Sequence, residues 1–239
     1  MATQRLDNNL HADLKLRTGY GPEQGDPVGQ VAVYPGEFVP VQREYPILFL
    51  REGADGAKVL QPVAILGLSG DANLFVADGN WQAHYVPAMV RRGPLMIGRG
   101  GNADVADPPV LIDLDHPRIA GKSEEGFPLF LEQGGMGPAL ENGLDALRII
   151  HTGHEMLPEL TRLFDKHGLT EPLALNIQLS AEQVVKFEGF GGVTMEKIAG
   201  LGGAALNELN KAGLLDLAIL AAHSLGNLNQ LAARARALG

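Results

Sequence analysis

A chain of 239 residues, 45% hydrophobic and 20% charged, is long enough to bury a sizeable core and too apolar to be disordered along most of its length. Its 28 acidic against 19 basic residues leave a formal net charge of −9, which argues against nucleic acid and anionic membrane surfaces as partners. The absence of cysteine removes disulfides, thiolate nucleophiles and Cys-based zinc sites.

The opening Met-Ala-Thr-Gln-Arg-Leu lacks the basic-then-apolar order of a signal peptide. No run approaches about 18 apolar residues, so a cytoplasmic location without membrane insertion is expected. Residues 1–30 are polar, with turn signals at Gly19-Tyr20-Gly21-Pro22 and Gly25-Asp26-Pro27. From Gln30 onward short apolar runs alternate with punctuation, predicting strands over Val31–Tyr34, Tyr45–Arg51, Val63–Leu68, Leu74–Ala77 and Leu95–Ile97. Val110–Leu114 and Pro128–Leu131 read as further strands, and Asp55-Gly56 as a hairpin turn. Pro87 is expected to end a strand or open a short helix.

After Gln133-Gly134-Gly135-Met136-Gly137 the period changes. Leu140, Leu144, Leu147 and Ile150, then Leu157, Leu160 and Phe164, fall at helical spacing. Pro138 suits the first helical turn, Gly168 suits the stop, and Pro158 predicts a kink or two consecutive helices. Leu173, Leu175, Ile177 and Leu179 then alternate with polar neighbours, and Val184–Phe187 is placed to return against them. Helices are predicted over Met195–Leu201, Ala204–Lys211 and Leu214–Arg236. The expected class is α+β: a mainly antiparallel sheet from the N-terminal half, joined by the late strand pair and packed with C-terminal helices. With no low-complexity linker visible, residues 1–239 read as one domain, strand-rich over 30–132, helical over 138–167, paired strands over 173–187 and helical over 195–236.

Several segments carry a resemblance when taken together. They are Asn9-Leu10-His11-Ala12-Asp13-Leu14 with Gly19-Tyr20-Gly21, and Gln42-Arg43-Glu44-Tyr45-Pro46-Ile47-Leu48-Phe49. Further on come Ala64-Ile65-Leu66-Gly67-Leu68 with Asn73-Leu74-Phe75, and Trp81 followed by Tyr85-Val86-Pro87-Ala88 and Arg91-Arg92. Asp113-Leu114-Asp115-His116-Pro117-Arg118 and Ser224-Leu225-Gly226-Asn227-Leu228 complete the set. In order and spacing the chain resembles the bacterial SapC family over roughly residues 8 to 236. The resemblance implies a link to surface-layer and outer-membrane receptor gene clusters, and it assigns no catalytic residue.

The constellations that bear chemistry are few. His11-Ala-Asp13 matches half of an iron-binding facial triad, with His84 as a distal third ligand. Against this stands a position too near the N-terminus for a jelly roll. His151, His154 and Glu155 share a helical face, but not in metalloprotease order, and a half-buried His154 is the plainer expectation. Asp113 and Asp115 lie two apart at a strand end, so both carboxylates face one way, for a cation, for proton transfer or simply for a turn. Trp81, Tyr85, Arg91 and Arg92 with Tyr45 combine aromatic faces and guanidinium groups, which suits a peptide, a sugar or a carboxylate.

Gly98-Arg99-Gly100-Gly101 fails the dinucleotide context, and no phosphate-binding loop or serine nucleophile elbow occurs. Gly134, Gly135 and Gly137 precede a helix and can offer N–H groups to an anion. The apolar run from Leu214 to Leu225 is either core or a surface for a homo-oligomer or another partner. These features together point to a non-catalytic accessory factor that binds a peptide or protein partner and needs no cofactor, at Tyr45, Trp81, Tyr85, Arg91, Arg92, Asp113 and Asp115. The alternative is a metal-dependent oxygenase of the non-haem iron type, or a hydrolase, built on His11, Asp13 and His84 or on the Asp113 and Asp115 pair.

Overall fold

The computed structural model describes residues 2–53, 58–98, 108–180 and 184–238. The hairpin turn expected at Asp55-Gly56 and the glycine cluster at 99–101 lie outside the described residues. In chain order the strands are β1 (Thr3–Arg5), β2 (Lys15–Leu16), β3 (Gln30–Ala32), β4 (Ile47–Glu52), β5 (Val59–Ile65), β6 (Val76–Ala77) and β7 (Asn80–Trp81). They continue with β8 (Leu95–Ile97), β9 (Val110–Asp113), β10 (Ile119–Ala120), β11 (Phe127–Pro128), β12 (Thr170–Gln178) and β13 (Val184–Val193). The helices are α1 (Phe38–Val41), α2 (Ala88–Arg91), α3 (Pro138–Lys166), α4 (Met195–Ala199), α5 (Gly203–Lys211), α6 (Leu215–Ser224) and α7 (Asn227–Leu238). Among the described residues every strand pairing is antiparallel, and the five longer helices lie in the second half, so the fold is α+β. No described helix is long and apolar enough to cross a membrane.

The chain packs as two compact units that interleave in sequence. The first comprises Met1–Pro27, Val76–Gln82 and Ala88–His151; the second comprises Val28–Phe75, Ala83–Pro87 and Thr152–Gly239. In the first unit β1, β9 and β8 form one small sheet and β10, β2 and β11 another. Leu95, Ile112, Leu129, Leu140 and Leu147 make its buried centre, ringed by Leu14, Leu16, Ile97 and Phe130. These side chains come from strands, from residues flanking β2 and β11, and from the first turns of α3, whose 3.6-residue period presents one apolar stripe.

In the second unit the sheet order is β12-β13-β4-β5-β3, so the late strand pair joins the earlier sheet through β13. Strand β5 is buried along nearly its whole length, as a central strand covered on both faces must be. The strand predicted from Val63 begins instead at Val59, because Pro62 removes only one ladder donor while its own carbonyl accepts from Val33 N–H at 2.9 Å.

Two helical expectations need correction. Of the kink or the two consecutive helices expected at Pro158, the second is not formed: α3 runs unbroken for 29 residues. Leu157, Leu160, Leu163 and Phe164 are all buried, each contributing roughly 1.5–3 kcal/mol, against about 3 kcal/mol for an interior proline. Conversely, the stretch predicted as one helix from Leu214 to Arg236 is split between α6 and α7. Ser224 and Asn227, flanking Leu225-Gly226, turn their side chains to the 42–47 segment. Ile47 N–H donates to Ser224 Oγ at 2.8 Å, and Asn227 Nδ2 donates to the carbonyls of Gln42 and Tyr45 at 2.8 and 3.1 Å. The apolar α6 run is largely core, with Leu217, Ala218, Ala221 and Ala222 buried.

Candidate functional site

The first unit carries a cleft of about 390 Å³ in which Arg17, Tyr20, Arg91, Arg118 and Asn142 line a mainly apolar wall that includes Leu16, Val90 and Phe127. No Asp or Glu lines it among the described residues. Three arginines on one wall are notable in a chain of net charge −9.

Each arginine is placed by a different local device. Arg118 follows the turn that leaves β9, where His116 N–H donates to Asp113 O and Arg118 N–H donates to His116 Nδ1 at 3.1 Å. Its Nη2 lies 2.7 Å from both Asp26 oxygens, and its guanidinium carbon lies 5.0 Å from the centre of the Tyr20 ring. Asp26 is fixed in turn by Gly21 N–H at 2.9 Å. Arg118 is only 8% exposed, and its buried Nε has no hydrogen-bond partner among the described residues.

Arg17 leaves β2 and donates to the carbonyls of Pro117 and Ile119 at 3.1 and 2.6 Å, with Glu124 as its ion-pair partner. Gly121 N–H and Arg17 hold the Glu124 carboxyl below its ordinary 4.5. Arg91, in the last turn of α2, donates to Asn142 Oδ1 at 2.9 Å. Pro138 and Ala139 bring the first turn of α3, the positive end of a long helix dipole, to the same cleft. Gly93, between the arginines and β8, has φ +52 and lies against Arg118 Cδ, a position that a side chain would strain.

Of the residues expected at a binding surface, Arg91 lines this cleft. Trp81 stands behind it, its ring edge-on to Tyr20 with centroids 5.4 Å apart. Arg92 fastens backbone, donating to the carbonyls of Gly93 and Leu95. Asp113 and Asp115 build a strand-end turn: Asp115 N–H donates to Asp113 Oδ1 at 3.1 Å, and Ala2 N–H donates to Asp115 Oδ2 at 2.8 Å.

Tyr45 and Tyr85 belong to the second unit, in a polar node of their own. Tyr45 is 0% exposed and donates to Tyr85 O at 2.5 Å, while Tyr85 OH donates to Glu37 Oε2 at 2.8 Å. Glu44 accepts from the N–H groups of His84 and Tyr85 at 2.9 and 3.0 Å. Burial pushes the Glu44 carboxyl up, but these N–H groups and the His84 ring outweigh it, so it titrates below 4.5. The node joins three of the resemblance segments, those around Tyr45, Tyr85 and Asn227, and serves to hold the chain together.

The facial-triad residues are engaged elsewhere. His11 is 3% exposed, accepting from Asp7 N–H at 3.0 Å and facing Gln4 Oε1 at 3.4 Å, while Asp13 pairs with Lys122. His84 is exposed beside Glu44. Among the described residues no three His, Asp or Glu side chains are grouped to hold a metal ion. His151, His154 and Glu155 are all exposed, so His154 is not the half-buried residue its stripe suggested.

Sequence reasoning missed Arg17, Tyr20, Arg118 and Asn142. Tyr20 and Arg118 both stand inside segments that carry the resemblance, so the signal was present but lay about a hundred positions apart.

An α+β chain with a cationic cleft and no grouped metal ligands among its described residues defines a broad class only. A family model described as SapC matches residues 6–231, and the chain belongs to the SapC family. Comparison with curated proteins and with solved structures gave no match.

Proposed function

We propose that the protein is a non-catalytic accessory factor that binds a peptide or protein segment in the first unit's cleft. A role in bacterial surface-layer or outer-membrane uptake systems and a cytoplasmic location are part of the same proposal. One observation carries it: a cleft of about 390 Å³ whose lining, among the described residues, has three arginines and no carboxylate, the remainder being largely apolar. Sites of this size that combine apolar walls with a few convergent polar groups suit small ligands and short peptide segments. Trp81 and Tyr20 supply the rigid aromatic backing that recognition surfaces favour.

The test is selection from a random peptide display library on the purified chain, followed by calorimetric titration of the selected peptides. Arg91→Gln is expected to weaken them roughly tenfold, as loss of a charge-assisted hydrogen bond should, while Glu44→Gln leaves them unchanged. Selected peptides indifferent to Arg91→Gln, or no selected peptide at all, would overturn the proposal.

A further inference from the structure

We propose that β12 is a self-association edge: two copies of the chain pair antiparallel, β12 against β12, about a two-fold axis at Leu175. The strand ends the five-stranded sheet of the second unit, with β13 on its inner side and no strand on its outer side among the described residues. A strand edge offers a row of N–H and C=O groups that another strand satisfies best, so the backbone itself sets what pairs with it. The cleft belongs to the first unit and plays no part in this pairing.

β12 has few of the devices that keep a strand edge from pairing. It is nine residues long, whereas β3, at the other end of the sheet, has three. Its one proline and one charge, Pro172 and Glu171, stand near its start, and Leu173-Ala174-Leu175-Asn176-Ile177-Gln178 has neither. The hairpin's bulge leaves it regular. Leu173 pairs with Phe190 and Leu175 with Phe187, so the extra residue lies on β13, at Glu188-Gly189, where Gly189 has φ +96. At the tip, Arg236 of α7 donates to Gln178 O at 2.6 Å, which leaves Leu173 to Ile177 for the partner.

The side chains favour a second copy over an unrelated strand. A two-fold axis at Leu175 sets that residue against its own copy and Leu173 against Ile177. This extends the half-buried apolar row that β12 already shares with Phe187 and Val185. On the other face the exposed Ala174 meets the exposed Asn176. The net charge of −9 opposes association at long range, but Glu171 meets Leu179 and not a second carboxylate.

Sedimentation velocity of the full chain from about 1 to 100 μM tests the pairing, and a micromolar dimer is expected because a contact limited to strand edges is small. Ala174→Lys with Asn176→Lys sets lysine opposite lysine twice and should weaken the dimer at least roughly tenfold. Ala174→Glu with Asn176→Lys sets opposite charges in the same places and should retain it. Hydrogen exchange of the unsubstituted chain gives a second readout: β12 amides should slow as concentration rises. A monomer throughout, a dimer indifferent to the paired lysines, or one lost equally in both variants would each overturn the proposal. So would a monomer whose β12 amides slow only when a display-selected peptide is added, since the edge would then take a foreign strand.

Discussion

Arg118 Nη2 lies 2.7 Å from both carboxylate oxygens of Asp26, across 92 positions of sequence, in a pair whose members are 8% and 9% exposed. The pair ties the turn before β3 to the turn after β9, and it is what keeps a guanidinium inside the cleft wall. Removing one partner strands the other charge out of water. Asp26→Asn is therefore expected to cost about 3–5 kcal/mol by urea denaturation, whereas a loss under about 1 kcal/mol would mean that the pair is solvated.

His116 supplies a pH dependence. Burial, then the Arg118 and Arg92 guanidinium groups, hold its imidazole below the ordinary 6.5, with Asp113 and Asp26 opposing more weakly. A depressed folded value means that the unfolded chain takes up the proton first as pH falls. The stabilisation is thus complete above about 6.5 and is lost as pH drops through the folded value. Thermal melts between pH 7.5 and 5 should show this loss, and His116→Gln should flatten it; an unchanged slope in the variant would refute the assignment.

Ser224 and Asn227 predict a stability effect far from the cleft. Ser224 Oγ accepts from Ile47 N–H and donates to Ala221 O at 2.6 Å. Ser224→Ala leaves the Ile47 N–H buried without its acceptor, an expected loss of about 1–3 kcal/mol with affinity for cleft ligands unchanged. Chemical denaturation alongside the calorimetric titration checks both halves.

Gly153 predicts a reversal of helix propensity. Within α3, alanine should be better than glycine by about 0.5–1 kcal/mol. A Cβ at Gly153, however, would lie 2.5 Å from Tyr34 Cβ, which cannot swing away. Gly153→Ala should therefore lower the melting temperature, while a rise would show that α3 and Tyr34 can move apart.

What the sequence made legible followed from local periodicity. The antiparallel strands, the stop of α3 at Gly168 and the return of the late strand pair to the sheet all rest on patterns within about ten residues. The Gly168 stop is closed by bonds to Asp165 O and Phe164 O. The failures were non-local. Pro158 did not split α3 in two, burial outweighing it, and the break between α6 and α7 is made by side chains reaching to residues 42–47. The two units interleave three segments each, so no linker marks a boundary between them. Arg91 was legible as a cation near aromatics, but the cleft also needs Arg118 and Tyr20, whose adjacency only the β2 and β9–β10 turns create.

The most direct test of the account is amide hydrogen exchange of the full chain with and without a peptide from the display selection. Binding in the cleft predicts slowed exchange at residues 16–20, 90–93 and 138–142, and no change at 42–47 and 83–87. Slowing confined to the Tyr45 and Tyr85 segments, with the cleft segments unchanged, would contradict it.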